Sequence, residues 1–380
     1  MPATIAAPNP RVIRWAAERS GRSHESFKNE WPRFDEWLTG ERAPTLKQAA
    51  KFAKKVHVPF ADLYGEDVPD MGLRLPDFRG ADLRGSEPSP ELYDVVKEMS
   101  WRQSWMHDYF EDEGYEPVPF VGSVGPGASV ADVVASIREH IGLSPDWASG
   151  TSDAGSAFRK MRNAAEAVRV SVAVSGVVGD NTHRPLDVSE FRGLVFSDDI
   201  APLIFVNGAD ADVARSFTLA HELAHLALGS TGVVSPSDGR SVGEGVERLC
   251  EEVAAEIMVP RGLLLERWRS GADSYDEVRR LSRRFRASFP AVAIQALRLG
   301  LVGGDELDDL LDRHSSMVEG MRAKKGSGGD YYRTKGAKLG RVFSDSIVIA
   351  VKSGQISYTK ALQLTGTNPK TFSGLFDGVM

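Results

Sequence analysis

Arg215-Ser216-Phe217-Thr218-Leu219-Ala220-His221-Glu222-Leu223-Ala224-His225-Leu226 is the stretch on which the reading of this chain turns. It lies within residues 211–228, where Val213, Phe217, Ala220, Ala224 and Leu228 recur at helical spacing and Gly229 supplies a stop. The spacing predicts an amphipathic helix. On a helix, residues four apart share a face with their Cβ atoms ~6 Å apart, so His221 and His225 can turn two imidazoles onto one zinc ion at ~2.0–2.1 Å. Glu222 then points beside the ion. There it serves as general base toward a zinc-bound water and afterwards as acid toward the leaving amine. A five-residue match of this kind arises by chance in about one chain of this length in a hundred.

A catalytic zinc site keeps three protein ligands and one open position. No third histidine follows at a usable distance, so the remaining ligand is expected from a carboxylate on a second helix. Residues 246–258, closed by Val259-Pro260, read as that helix. Glu247 and Glu251 share one of its faces, and spacing alone leaves the choice between them open. Glu252 and Glu256 read as solvated surface. Cys250, on the apolar face, reads as a core residue, with a soft ligand or redox handle as the alternative. A donor is also needed to steady the oxyanion of a tetrahedral intermediate, and His183, in the loop after a predicted strand, is the residue chosen for it.

Three segments together resemble the ImmA/IrrE family of metallopeptidases: Pro202–Asn207, Arg215–Leu226 and Glu247–Pro260. Residues 176–184 and 190–193 extend the likeness toward long members that carry an N-terminal helix-turn-helix. The resemblance implies that the first glutamate of the second helix, Glu247, completes a zinc site with His221 and His225. A frequent asparagine of the family falls here at Glu251. It further implies a cytoplasmic zinc endopeptidase that cleaves a specific protein, of the repressor or antitoxin kind.

Residues 10–65 read as a set of short helices: Arg11–Arg19, one opened by Ser23, one around Phe34 to Leu38, and one opened by Thr45. The segment Trp37–Lys47 resembles the helix-turn-helix of Cro/repressor-type regulators, which implies contact with double-stranded DNA. Lys28, Asn29 and Arg33 are the expected contacts. The space between Ser23 and Gly40 is short for such a unit, and Pro32 and Asp35-Glu36 stand where base-reading residues are wanted.

Composition sets the outer limits. The 380 residues carry a net charge of −7, which speaks against nucleic acid binding along the whole length. Residues 1–65 hold eleven Lys/Arg against seven Asp/Glu, so any DNA contact belongs there. Cys250 is the single cysteine, which excludes an internal disulfide and suits a reducing compartment. No apolar run reaches the ~18 residues that cross a bilayer, so no membrane partner is expected. The start from Met1 to Pro10 lacks the charged-then-apolar pattern of a secretion signal.

The expected organisation is a helix-turn-helix-like unit at 1–65, a linker at 66–90, a zinc peptidase domain with helical extension at 91–324, and a flexible joint with a small C-terminal domain at 325–380. Strands are expected at Val168–Val178, Phe191–Phe196 and Leu203–Asn207. The basic run 279–286 reads as a solvated helix face backed by Leu281 and Phe285. The fold class is therefore α+β: a small mixed sheet packed against the active-site helix, with an all-helical N-terminal unit. The competing reading is a non-enzymatic DNA-binding or toxin-neutralising regulator whose zinc is structural or sensory. The sequence leaves the oligomeric state open.

Overall fold

The structure, a computed structural model, describes residues 7–20, 22–69, 88–125, 127–230, 232–234, 244–319 and 331–376. These fall into two compact units. One holds the N-terminal helices and the start of α5 (Pro90–Asp112) as far as Val96; the other holds the rest of that helix and every later element. Most of the expected linker, and the whole of the expected joint at 325–329, lie outside the described residues.

The first unit contains α1 (Pro10–Arg19), α2 (His24–Glu30), α3 (Phe34–Thr39), α4 (Leu46–Val56) and a 3₁₀ turn at Phe60–Tyr64. Ser23 caps α2 through the Ser26 amide. Thr45 and Gln48 form a reciprocal capping box on α4, satisfying two of the amides a helix start leaves open. Phe27, Trp31, Phe34, Trp37 and Phe52 pack ring against ring at its centre, with centroids 4.9–6.3 Å apart.

The second unit is α+β. After α5 come α6 (Val130–Ile141) and α7 (Ala154–Ala167), then β1 (Ser171–Ser175), β2 (Gly193–Phe196) and β3 (Leu203–Asn207). Next are α8 (Asp212–Ala227), β4 (Gly232–Val234), α9 (Glu244–Met258), α10 (Arg261–Arg267), α11 (Ser274–Phe285), α12 (Phe289–Arg298) and α13 (Gly304–Glu319). The chain closes with α14 (Tyr331–Leu339), α15 (Arg341–Lys352), α16 (Tyr358–Thr365) and α17 (Pro369–Leu375). No described helix is long and apolar enough to cross a membrane.

The sheet runs in the order β1-β3-β2-β4. β1 and β3 are parallel, with Val172 opposite Ile204, and β2 is antiparallel to both β3 and β4. Every residue of β1, β2 and β3 is buried, as strands covered on both faces must be. β3 takes the expected bounds. β1 is shorter than its valine pattern, because Arg169 adopts a left-handed φ of 66° that turns the chain out of α7 before pairing begins. β2 begins two residues late because Phe191 closes a turn onto the Asp187 carbonyl. β4 is not among the expected strands.

One large core joins the sheet to the helices. α8 lies against β2 and β3, α9 against α8, and α7 against α8 and β1. α14 and α15 cover β1, an outer strand whose open side would otherwise offer unpaired backbone groups. The basic run on α11 behaves as its pattern implied. Leu281 and Phe285 are buried, while Arg280 pairs with Glu277 and Arg284 reaches Asp146 at 2.6 Å.

Candidate metal centre

α8 places its polar triplet inside the core. His221, Glu222 and His225 are 2 %, 0 % and 2 % exposed. Helical spacing brings the two imidazoles together as expected, with Nε2 atoms 3.0 Å apart. From α9, Glu247 lays one carboxylate oxygen 3.3 Å from His221 Nε2 and the other 3.4 Å from His225 Nε2. Glu251, the alternative that spacing left open, is exposed. Donor atoms around a tetrahedral ion with bonds of ~2.0–2.1 Å stand about 3.3 Å apart, so the three separations fit one small cation.

Charge makes the same point. Glu247 is drawn into the site: burial pushes its carboxyl up, but its contacts with His221 and His225 outweigh burial and hold it at about 2. Burial lowers His221, against the pull of Glu247, and so favours a neutral ring. Burial, aided by repulsion from Glu247, pushes Glu222 well above the usual carboxylate range. Both Glu222 carboxylate oxygens lack a hydrogen-bond partner. Buried polar atoms are nearly always bonded, so two orphaned oxygens on one side chain call for a ligand that is not protein. Among the described residues no Lys or Arg pairs with either carboxylate.

Three further residues complete the surroundings, and two of them act through contacts that no sequence pattern announces. Ser230 Oγ accepts from His225 Nδ1 at 2.9 Å and donates to the His225 carbonyl at 3.2 Å. That arrangement puts the ring proton on Nδ1 and leaves the Nε2 lone pair bare, the usual device for orienting a metal-binding imidazole. Gly193, at the start of β2, leaves room for the glutamate. A Cβ there would fall on Glu222 Oε1 and lie 2.7 Å from Thr218 Cγ2. Cys250, free and fully buried on α9, sits with its sulfur within 4.8 Å of ring nitrogens of both His221 and His225. Burial among the acidic groups of the site pushes its thiol far up.

The other expected site residues have exposed positions of their own. His183 is exposed in the turn after β1, where its amide donates to Asn181 Oδ1 at 3.0 Å. Among the described residues no hydrogen bond or ion pair joins its side chain to the α8 triplet. In the first unit Lys28, Asn29 and Arg33 are all exposed. Lys28 pairs with Asp35 at 2.8 Å, and Arg33 approaches Glu36 at 4.0 Å.

No curated protein matches the chain. Residues 339–377, covering α15 to α17, match a model described as a domain of unknown function. Residues 182–296, which carry β2, β3, α8 and α9 with the whole constellation, match the model of a peptidase family described as the IrrE N-terminal-like domain, and so support the ImmA/IrrE likeness and a metallopeptidase-type enzyme.

Proposed function

We propose that the protein is a zinc-dependent endopeptidase that cleaves a specific regulatory protein of the repressor or antitoxin kind. His221, His225 and Glu247 are the protein ligands, and Glu222 is the general base and acid. The observation that carries the reading is the Glu247 carboxylate, 3.3 and 3.4 Å from two histidine nitrogens, beside a glutamate with two unpartnered oxygens. Two imidazoles and one carboxylate make a donor set that suits a divalent cation.

When bound, zinc supplies a polarised scissile carbonyl and a water whose pKa is brought down to about 7. The chain does the rest. His221, His225 and Glu247 fix the ion's place, and Ser230 holds His225 in the right tautomer. Glu222 takes the proton of the attacking water on its carboxylate and delivers it to the departing amine. Its burial makes it a stronger base than an ordinary carboxylate. His183 is the donor proposed for the oxyanion, and His183→Ala should then lower kcat while sparing KM.

Glu222→Gln tests the proposal. The variant should keep about one zinc per chain and lose cleavage of the partner by about 10²–10⁴-fold. Full activity in Glu222→Gln would refute the peptidase assignment. Contact of the N-terminal unit with double-stranded DNA through Lys28, Asn29 and Arg33 forms part of the same proposal. It predicts duplex binding that weakens steeply with salt and is lost when all three are alanine.

A second reading, a regulator whose zinc is structural or sensory, is favoured by one observation: a cysteine stands beside the two histidines. Under that reading Glu222→Gln leaves the biological output intact, while His221→Ala abolishes it.

A further inference from the structure

Cys250 carries a thiol, a group able to bind metal, that the proposed reaction leaves idle. It follows Glu247 by three positions on α9, so the two side chains share a face. It is fully buried, engaged in no disulfide, and within 4.8 Å of ring nitrogens of both histidines. An independent feature marks the same spot as the seat of a ligand. Glu222, 0 % exposed, has two carboxylate oxygens without partners beside Glu247, and no basic side chain among the described residues pairs with either.

We infer that Cys250 is a fourth protein ligand of the same ion and that its thiolate closes the site. The inference rests on the metal site proposed above. With zinc bonds of about 2.0–2.1 Å to nitrogen and 2.3 Å to sulfur, a tetrahedral ion holds N and S about 3.5 Å apart, inside the 4.8 Å limit within which sulfur and ring nitrogens already lie. On binding, the S–H bond breaks, its proton passes to solvent, and a sulfur–metal bond forms. Return of a proton and entry of water reverse the step. Structural zinc sites have four protein ligands and catalytic ones have three. Two histidines, Glu247 and Cys250 make the closed set; the same residues without the thiolate make the open one. The chain thus carries a resting state of its own centre, released when the thiolate leaves.

The test uses the full chain, stripped by chelator and reconstituted with cobalt(II), as wild type, Cys250→Ser and Cys250→Ala. Wild type should bind one cobalt with strong tetrahedral visible absorption and a near-ultraviolet thiolate-to-cobalt charge-transfer band. Both variants should still bind one cobalt, lose that band, show weaker visible absorption as water enters, and yield the metal to chelator at least tenfold more readily. One cobalt in wild type without the charge-transfer band overturns the thiolate ligand and leaves the three-ligand site standing. No stoichiometric cobalt in wild type overturns the site itself. If the variants fail to fold, X-ray absorption at the zinc edge of wild type decides the matter: one sulfur neighbour supports the inference, and none overturns it.

Discussion

Two clusters of ionisable side chains with buried members lie within the second unit, and only one of them, the unfinished one, holds a carboxylate with neither oxygen partnered. Where α14 covers β1, Arg102 is 2 % exposed and donates to the Lys338 carbonyl at 2.9 Å while its guanidinium meets Glu98. Lys335 Nζ lies 2.7 Å from Asp180 Oδ2 and 3.2 Å from the Gly366 carbonyl. Lys338 Nζ lies 3.4 Å from Asp180 Oδ1 and 3.7 Å from Glu98. Cations and anions answer each other there. At the α8–α9 centre two carboxylates face two imidazoles with no basic partner among the described residues. Burial is common to both clusters, so burial of charge is not what marks a site. The mark is a buried carboxylate, Glu222, of which the protein satisfies neither oxygen.

Removing the ion should break the symmetry between the clusters most strongly. Zinc held at about 1,000 times its dissociation constant adds ~4 kcal/mol to stability, and chelation should take that away. His221→Ala should show the low melting point from the outset and contain no zinc. Lys335→Met, altered in the other cluster, should respond to chelator as wild type does. Scanning calorimetry with parallel metal analysis reads all three. An unchanged melting point after confirmed loss of zinc would put both clusters in the same structural class.

Gly193→Ala addresses the unfinished cluster from the sheet side. Its Cβ would occupy the place of Glu222 Oε1, so either the glutamate swings away or β2 shifts. The expected cost is about 1–3 kcal/mol, as for overpacking elsewhere, with metal retained and peptide cleavage lost. Chemical denaturation and metal analysis separate this outcome from plain unfolding. Retained cleavage would mean that Glu222 does its work from another position.

This glycine also shows where legibility ended. His221, Glu222 and His225 could be read because a helix converts a four-residue spacing into a shared face without help from the rest of the fold. Glu247 needed a family likeness, since α9 offers Glu251 on the same face and only the packing of α9 on α8 separates them. Gly193 was visible as a letter, yet its reason is a close approach between β2 and α8 that register decides. Ser230 bonds back across the end of its own helix, and β4 is three residues whose pairing depends on β2 already being in place. In the N-terminal unit the helices were legible from their caps, Ser23 and Thr45. The pairing of Lys28 with Asp35 was not, because it joins side chains of successive helices across a turn.

Asp180→Asn probes the finished cluster. Burial raises the Asp180 carboxyl, but Lys335 and Lys338 outweigh it and hold it below its ordinary 3.8. A carboxyl depressed in the folded state contributes stability above its unfolded pKa, and that contribution is lost as pH falls through the folded value. Asp180 is 44 % exposed, so the full cost of a broken buried pair does not apply. About 2 kcal/mol at pH 7 is expected, shrinking toward zero as acid protonates the folded-state carboxyl. Urea denaturation of both proteins at neutral and acid pH measures the difference. A gap that stays constant across this range would show that the lysines are satisfied by carbonyls rather than by Asp180.

The smallest expected effect returns to the unfinished cluster. In Ser230→Ala, His225 Nδ1 loses its acceptor at 2.9 Å, and water replaces it only partly because the ring is buried. Both tautomers are then populated, and the one with a proton on Nε2 cannot bind metal. Zinc affinity should fall about tenfold, or ~1.4 kcal/mol, at the low end for loss of an orienting partner. Competition with a chromophoric chelator at fixed pH resolves that difference, while thermal stability of the metal-free protein should barely change. An affinity equal to wild type would mean that packing, and not the serine, sets the His225 ring. The 3.0 Å approach of the two Nε2 atoms would then be a property of α8 alone.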